Sequence, residues 1–424
     1  MKENRAGNVF RNHMEKGLFN RLSIELNHEV DIHALELSYR MTLIACPFFE
    51  RTLIADGDRL FFKKHHNRCK VGSIPSMTDG FPHTGEPCFG RDLVEVYASG
   101  NRIVTGISHA LTDGLGKSIF NKLLLYHYFC LTDRHEYVNP FANMAVRTID
   151  HDMDLDVFLD KLYPQIDIMP DCLRTEPCFH LPEKKAAAAT EYLIETDQDA
   201  FRSLTRSLTR DIAIEASKLL PIGGRKCLVL FYLMALSVAK LNPMCDLPIS
   251  CRFPVNARSI LGAEGALRNL SHGQAVVAVT PKTLAGDSHD VLAKVTDRFP
   301  EQLTEEALGW QYSRMSELIT DQKNTPQMSL LFDRTMLISN VGQEYYEPEQ
   351  KNYVRSAKNL YDHNMFAIYL YSQKDKQMIS INQPFSSDRY ARELVAVLNR
   401  HGLAVTLTKS ENDGFHQEGT GKKP

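Results

Sequence analysis

The stretch Arg102-Ile-Val-Thr-Gly-Ile-Ser-His109-Ala-Leu-Thr-Asp113-Gly114-Leu-Gly-Lys-Ser-Ile-Phe-Asn121 decides how the rest of the chain is organised. It opens with β-branched residues such as Ile103 and Val104, which favour a buried strand. Asp113-Gly114 is a strong turn signal, because glycine accepts the positive φ that a sharp turn demands. From Gly116 onward apolar residues recur at helical spacing. The pattern predicts a strand, a turn that carries His109, and then a helix.

The composition is that of an ordinary globular protein. The 424 residues are 43% hydrophobic and 24% charged, which suffices for two domains with a core each. A net charge of −3 gives no basic footprint for nucleic acid or an anionic membrane. Met1 to Phe10 lack the apolar core of a signal peptide, and the longest apolar run, Cys227 to Ala239, is too short to span a bilayer. We therefore expect no membrane span, and a buried helix for that run.

The nine cysteines are scattered singly between Cys46 and Cys251. No Cys-x-x-Cys pair and no cysteine–histidine cluster occurs at metal-binding spacing. The sequence therefore predicts neither a metal site nor a disulfide framework. Without a signal peptide, free thiols in the reducing cytoplasm are the expected state.

The segments before the turn alternate between strands and a helix. Leu22 to Asn27 has strand periodicity, and Asp31 is suited to cap the helix that follows it. Leu93 to Ala98 and Ile103 to Ser108 flank a Ser-Gly-Asn turn. They predict a hairpin that delivers His109 to the end of a strand, where a side chain can face a cleft.

The pattern His109-x-x-x-Asp113-Gly114, with a strand before it and a helix after it, resembles the active-site motif of the chloramphenicol acetyltransferase-like superfamily. That superfamily includes alcohol O-acetyltransferases, polyketide-associated acyltransferases, plant acyl-CoA-dependent acyltransferases and the condensation domains of peptide synthetases. Many members carry two adjacent histidines, whereas the first position here is Ser108. The second histidine is the one to which the superfamily assigns the catalytic role. The plant-type Asp-Phe-Gly-Trp-Gly motif is absent, which favours a bacterial or fungal alcohol acetyltransferase-like branch.

The resemblance implies an α/β (α+β) two-layer sandwich. Two chloramphenicol acetyltransferase-like subdomains with mixed sheets would enclose an active-site tunnel, which the donor and the acceptor enter from opposite faces. The expected boundaries are residues 1–150 for the N-terminal subdomain with the histidine motif, 151–190 for a crossover linker, 191–409 for the C-terminal subdomain and 410–424 for a disordered tail.

A second segment, Pro254-Val-Asn256-Ala-Arg258, is similar to the Pro-Val-(Asn/Asp)-x-Arg segment of many superfamily members. The resemblance implies an ion pair between Arg258 and Asp113. This pairing is chemically sound, since a buried carboxylate needs a partner and guanidinium offers a two-point match. The alternative is a surface arginine near the end of a strand.

A third segment, Ser339-Asn340-Val-Gly342, is similar to one found near the active-site tunnel of superfamily members. A tetrahedral oxyanion needs a hydrogen-bond donor, and Ser339 and Asn340 are the candidates, with Ser271 behind them. An ordinary strand-to-loop turn is the alternative for this segment. His272 is a rival histidine, but it lacks an Asp-Gly turn.

His109 is suited to act as a general base. A neutral histidine, with an ordinary pKa of about 6.5, can take the proton of a hydroxyl as the oxygen attacks an acyl carbonyl. It would then return the proton to the leaving thiolate. We expect no covalent intermediate, because Ser108 would point to the opposite face of the strand. Asp113 and Gly114 are expected to shape the loop, Gly114 by letting the turn close.

The leading hypothesis is an acyl-CoA-dependent O-acyltransferase that moves an acyl group, acetyl by expectation, to the hydroxyl of a small-molecule alcohol. Acyl-CoA would be a co-substrate, with no permanently bound cofactor, and the protein would be a monomer. Three alternatives stay open: a stand-alone condensation-type enzyme that uses a carrier-protein thioester to form an ester or amide, a catalytically idle binding module, and a hydrolase.

Overall fold

A computed structural model of the chain describes residues 2–3, 14–15, 17, 19–57, 59–65, 69–73, 86–133, 137, 139, 168–186, 189–212, 222–260, 266–271, 273–320, 333–342, 346, 348–360 and 365–410. Strands and helices are numbered separately in chain order. Residues 151–167 and 187–188 of the expected linker, 151–190, lie outside the described residues, as do His272 and all of the expected tail, 410–424, except Ser410.

The N-terminal half is built on a five-stranded sheet. Its strands, in spatial order, are β12 (Val354–Leu360), β2 (Asn20–Leu26), β7 (Arg102–Ile107), β6 (Val94–Ser99) and β5 (Gly72–Ser73). The expected hairpin is present as the antiparallel pair β6 and β7. The short parallel pair β5 and β6 makes the sheet mixed.

The C-terminal half is built on a seven-stranded sheet that is also mixed. In spatial order its strands are β10 (Gln274–Val279), β9 (Ile249–Pro254), β11 (Met336–Gly342), β13 (Ala367–Gln373), β14 (Lys376–Gln383), β8 (Thr190–Asp197) and β15 (Val405–Ser410). Strand β11 runs parallel to both of its neighbours, and the other pairs are antiparallel. A third, three-stranded sheet consists of β1 (Lys2–Glu3), β4 (Arg59–Lys64) and β3 (Arg51–Asp56).

Helices cover these sheets. They are α1 (Ile32–Ala45), α2 (Gly114–Thr132), α3 (Gln198–Leu208), α4 (Ile222–Leu241), α5 (Pro281–Leu284), α6 (Ser288–Thr296), α7 (Phe299–Gln302), α8 (Glu305–Thr320) and α9 (Arg389–Arg400). Asp31 caps α1 as expected, because its carboxylate accepts from the Ala34 amide. Short 3-10 turns occur at Pro47–Phe49, Asp171–Leu173 and Pro348–Asn352.

Each half has its own hydrophobic core. In the N-terminal core α1 and α2 pack together, and Tyr39 meets Phe120 edge-to-face. In the C-terminal core α4 packs against β9, β11 and α9, and α9 also packs against β15. Leu228 to Ala235 of α4 are buried on every side, which is why that helix is apolar all round.

Two sequence expectations need correction, and one alternative is excluded. Strand β12 comes from the interval assigned to the C-terminal subdomain, yet it pairs with β2 in the N-terminal sheet. Ser339 and Asn340 lie within β11, which excludes the alternative of an ordinary strand-to-loop turn at these two residues. Ser410, placed at the start of the tail, is the last residue of β15. In each case long-range pairing decides the structure, and the local sequence does not reveal such pairing.

Within the part of the chain that the structure describes, no helix combines the length and the apolar character needed to cross a bilayer.

Candidate active site

His109 lies directly after β7, where the chain leaves the sheet and turns into α2. Its side chain is partly exposed, while the residues before and after it, Ser108 and Ala110, are buried. Both nitrogens of the imidazole ring have hydrogen-bond partners. Nδ1 lies 3.3 Å from the Thr112 carbonyl oxygen, and Nε2 lies 3.1 Å from Asn20 Nδ2.

These two contacts define the tautomer of His109. A backbone carbonyl oxygen can only accept, so Nδ1 carries the proton that meets Thr112 O. An amide nitrogen can only donate, so Nε2 accepts from Asn20 and carries the lone pair. Nε2 of His109 is therefore the unprotonated ring nitrogen, and its lone pair accepts the Asn20 amide in this structure.

Asp113 organises the loop that carries His109. Oδ1 accepts from the amides of Leu115 and Gly116 at 3.1 and 3.2 Å, so the carboxylate is the N-cap of α2. Oδ2 accepts from the Leu270 amide at 3.0 Å. A negative charge at a helix N-terminus is also favoured by the helix dipole.

Arg258 completes the coordination of Asp113, in the pairing that the sequence resemblance implied. Nη1 and Nη2 of Arg258 lie 2.7 and 3.0 Å from Oδ2 and Oδ1. The two side chains are only 3% and 2% exposed. Arg258 also donates to the carbonyl oxygens of Ala266 and Arg268, so the buried charge is fully solvated by protein groups.

The chain at 267–271 locks the His109 loop from the C-terminal half. Asn269 Nδ2 donates to the His109 carbonyl oxygen at 2.9 Å. Thr112 forms a β-bridge with Arg268, and its hydroxyl donates to the Leu267 carbonyl oxygen. The histidine loop is therefore fixed by backbone and side-chain contacts from both halves of the fold.

Glycine has a different role in this loop from the one the sequence suggested. Gly114 begins α2 without a positive φ, and a Cβ there would meet nothing within 4 Å. Gly116 is the tight position, since a Cβ would lie 1.8 Å from Thr112 Oγ1 and 2.9 Å from Leu267 O. The close approach of the 267–271 segment therefore requires glycine at position 116. At position 114 no positive φ requires glycine, so the expectation that Gly114 lets the turn close was wrong.

Ser108 is turned away from the exposed edge of His109. Its side chain is fully buried, and its hydroxyl contacts Met14 Sδ at 3.2 Å and accepts from the Ala110 amide. Ser108 is therefore held in the interior, whereas the side chain of His109 is partly exposed.

The three oxyanion candidates have unequal surroundings. Strand β11, which carries Ser339 and Asn340, passes close to α2. The Asn340 amide lies beside Gly223 of α4, and its Oδ1 accepts from the Gly342 amide. The Ser271 hydroxyl donates to Asn269 Oδ1 at 3.0 Å. Since a hydroxyl has one proton to donate, Ser271 is the weakest of the three candidates.

Three polar residues that sequence reasoning missed lie behind His109: Asn20, Lys117 and Asn359. Lys117 Nζ donates to Asn20 Oδ1 at 2.8 Å and to Asn359 Oδ1 at 2.6 Å. Burial lowers the pKa of Lys117 to about 7, because an ammonium ion loses its hydration in the core. The signal available in the sequence was a lysine on the core-facing stripe of a helix.

The described residues contain no group of three or more histidine, cysteine, aspartate or glutamate side chains that could hold a metal ion.

Comparison with known proteins gives a consistent result for the fold. No protein-family model and no curated protein matches the sequence. Solved structures do match. TRI101 of F. sporotrichioides, complexed with coenzyme A and T-2, is 13% identical, with a TM-score of 0.66 over 96% of this chain and 99% of that one. The chain has the chloramphenicol acetyltransferase-like fold.

Two other structures with this fold extend the comparison. The trichothecene 15-O-acetyltransferase TRI3 from Fusarium sporotrichioides is 13% identical, with a TM-score of 0.64 over 95% of each chain. The epimerization domain from the third module of tyrocidine synthetase B is 10% identical, with a TM-score of 0.63 over 93% of this chain and 94% of that domain. The chloramphenicol acetyltransferase-like fold thus spans almost the whole chain.

Proposed function

We propose that the protein transfers an acyl group, acetyl in the simplest case, from a coenzyme A thioester to the hydroxyl of a small alcohol. The observation that carries this proposal is His109, whose unprotonated Nε2 is fixed at the junction of the two halves. Two similar structures support the donor and the acceptor class, since one holds coenzyme A with T-2 and the other is an O-acetyltransferase.

The reaction follows from the geometry of His109. The acceptor hydroxyl displaces the Asn20 amide from Nε2 and gives its proton to that nitrogen while its oxygen attacks the thioester carbonyl carbon. The resulting tetrahedral oxyanion collapses, the C–S bond breaks, and the imidazolium returns the proton to the leaving thiolate. General-base help of this kind is worth about 10²- to 10⁴-fold, and no covalent acyl-enzyme is involved.

The other site residues would position His109 or donate hydrogen bonds to the oxyanion. Asp113 and Arg258 fix the loop that carries His109, and Gly116 admits the 267–271 segment. Ser339 and Asn340 are the proposed oxyanion donors. Replacing each by alanine tests this role, since removal of an oxyanion donor lowers kcat by about 10²- to 10³-fold. An unchanged kcat in both variants would remove β11 from the mechanism.

The decisive experiment is acetyl-CoA thiol release with and without a panel of primary alcohols. Wild type, His109→Ala and the control His28→Ala would be compared, because His28 is an exposed histidine whose ring bonds, among the described residues, to the carbonyl oxygen of its neighbour Glu29. Alcohol-dependent release that is lost only in His109→Ala would support the proposal. Equal release in all three proteins would contradict the role of His109, and release that ignores the alcohol would indicate a hydrolase.

The nature of the donor has one alternative. The similarity to an epimerization domain of a peptide synthetase favours a test of carrier-bound thioesters as well. Transfer from a carrier-protein thioester but not from acetyl-CoA would make the protein a condensation-type enzyme. We further propose that it acts as a monomer in the cytoplasm, where its nine cysteines, none of them in a disulfide, would stay reduced.

A further inference from the structure

A buried polar cluster connects α2 to the ring of His109. Lys117 lies one helical turn beyond Asp113, and its Nζ donates to both Asn20 Oδ1 and Asn359 Oδ1. Asn359 and Asn20 sit on the neighbouring strands β12 and β2, and His109 follows the next strand, β7. The cluster therefore runs across three adjacent strands and ends on Nε2 of His109.

The chemistry of Lys117 fixes the direction of every hydrogen bond in this cluster. An ammonium has three N–H groups and a neutral amine has two, so in either state Nζ can donate to both asparagines. The atom of Asn20 that faces Lys117 must then be the oxygen. Its amide nitrogen consequently faces His109, and Nε2 can only accept.

We propose that Lys117, Asn20 and Asn359 are positioning residues that hold His109 in the tautomer with the proton on Nδ1 and the lone pair on Nε2. This inference rests on the proposed role of His109 as the general base. Thr112 O applies the same constraint from the other side of the ring. A histidine with the opposite tautomer would present N–H to the acceptor hydroxyl and could not take its proton.

The burial of Lys117 supports a role beyond packing. Its side chain is only 2% exposed, on a helix face otherwise occupied by residues such as Phe120 and Leu124. Burial disfavours the ammonium form and lowers its pKa to about 7. A methionine would fill the same space without that cost. A lysine in this position is understandable if its N–H groups are needed to orient Asn20.

The direct test is the ¹⁵N spectrum of the histidine rings in the acceptor-free protein. Protonated and unprotonated ring nitrogens have well-separated ¹⁵N shifts, and the His109 signals are those missing from His109→Ala. We expect His109 of the wild type to be protonated on Nδ1 alone. Protonation of Nε2 would overturn the proposal. This measurement uses the wild-type protein, so it does not depend on whether variants of the polar cluster fold.

Asn20→Asp gives the sharpest perturbation. The carboxylate still accepts from Lys117, but it also presents an oxygen to His109 Nε2, which must then carry a proton. We expect the Nε2–H signal to appear and kcat to fall by about 100-fold or more, which is the scale of general-base catalysis. The KM for acetyl-CoA should change little, because the substitution alters the contact of Asn20 with the base and is not aimed at donor binding. Unchanged ring shifts would overturn the proposal.

Lys117→Met releases the Asn20 amide, which can then turn either nitrogen or oxygen toward His109. We expect both tautomers in the spectrum, and a kcat that falls in proportion to the fraction protonated on Nδ1. The control is Thr105→Val, which breaks the buried bond from Thr105 Oγ1 to Asn121 Oδ1 at 2.7 Å in the same layer. It should lower stability and leave the tautomer unchanged.

The spectra and the kinetics separate this proposal from the proposed function. If His109→Ala keeps full activity, the proposed function fails, although the polar cluster can still set the tautomer of His109 in the wild type. If His109→Ala is inactive but Asn20→Asp and Lys117→Met leave both the ring shifts and kcat unchanged, the positioning role of the polar cluster is refuted and the proposed function stands.

Discussion

The Asp113–Arg258 pair makes a quantitative prediction about stability. In Asp113→Asn the side-chain amide can keep its oxygen toward the α2 N-terminus, but its nitrogen then faces Arg258 Nη1 and the Leu270 amide, which are both donors. The guanidinium, 3% exposed, loses its counter-charge. Removing one partner of a buried pair typically costs about 3–5 kcal/mol, because the other charge stays buried.

That cost translates into a measurable change in Tm. An unfolding entropy of about 2.1 cal/mol/K per residue, over 424 residues, amounts to roughly 0.9 kcal/mol/K. We therefore expect Asp113→Asn to lower Tm by about 4 °C in differential scanning calorimetry, for a single cooperative transition.

The matched control is Asp375→Asn. Asp375 pairs with Lys351 at a similar distance, 3.0 Å, but its side chain is 87% exposed. Exposed pairs contribute about 1 kcal/mol at most, so Tm should fall by roughly 1 °C or less. Equal shifts in the two variants would refute the view that the buried pair anchors the histidine loop.

Three further predictions concern the same region and the thiols. Gly116→Ala should lower the free energy of unfolding by about 1–3 kcal/mol in urea titrations, since its Cβ would clash with Thr112 Oγ1 and Leu267 O, whereas Gly114→Ala should not destabilise. Lys117 has a folded pKa of about 7 against an ordinary 10.5, so between these pH values the unfolded chain binds more protons and stability rises with pH. Wild type should gain about 2–3 kcal/mol of unfolding free energy relative to Lys117→Met from pH 7.5 to 9.5, and parallel curves of stability against pH would contradict the lowered pKa of Lys117. A thiol reagent should modify at most three of the nine cysteines rapidly in the native protein, because six are buried; rapid modification of more than three would contradict that burial.

The local features of the site were predictable from the sequence. The hairpin, the loop with His109 and the start of α2 follow from strand periodicity, turn residues and helical spacing. The partner of Asp113 came from a family resemblance, since no local pattern joins residues 145 positions apart. Gly114 was misjudged because Asp-Gly signals a turn, whereas Asp113, with φ −100°, caps a helix that Gly114 begins.

The polar cluster next to His109 could not be predicted from local sequence patterns, for a physical reason. Asn20 and Asn359 lie 339 positions apart and meet Lys117 only because β12 crosses back to pair with β2. Sequence periodicity gives the face of an element but not its neighbours in the sheet. What it did offer was Lys117 and Asn121 on the buried stripe of α2, two polar residues in a core position.

The hydrogen bond between Asn20 and Nε2 also bears on water as a competing acceptor. An imidazole nitrogen has one lone pair, and in the acceptor-free protein the Asn20 amide occupies it at 3.1 Å. A water molecule must displace that amide before it can be deprotonated, whereas a bound alcohol brings its own binding energy to the exchange. In the proposed reaction, this hydrogen bond would keep the base occupied in the resting protein and would protect the thioester from hydrolysis. Asn20→Ala should accordingly raise thiol release in the absence of alcohol, and a rate equal to that of wild type would contradict this protection.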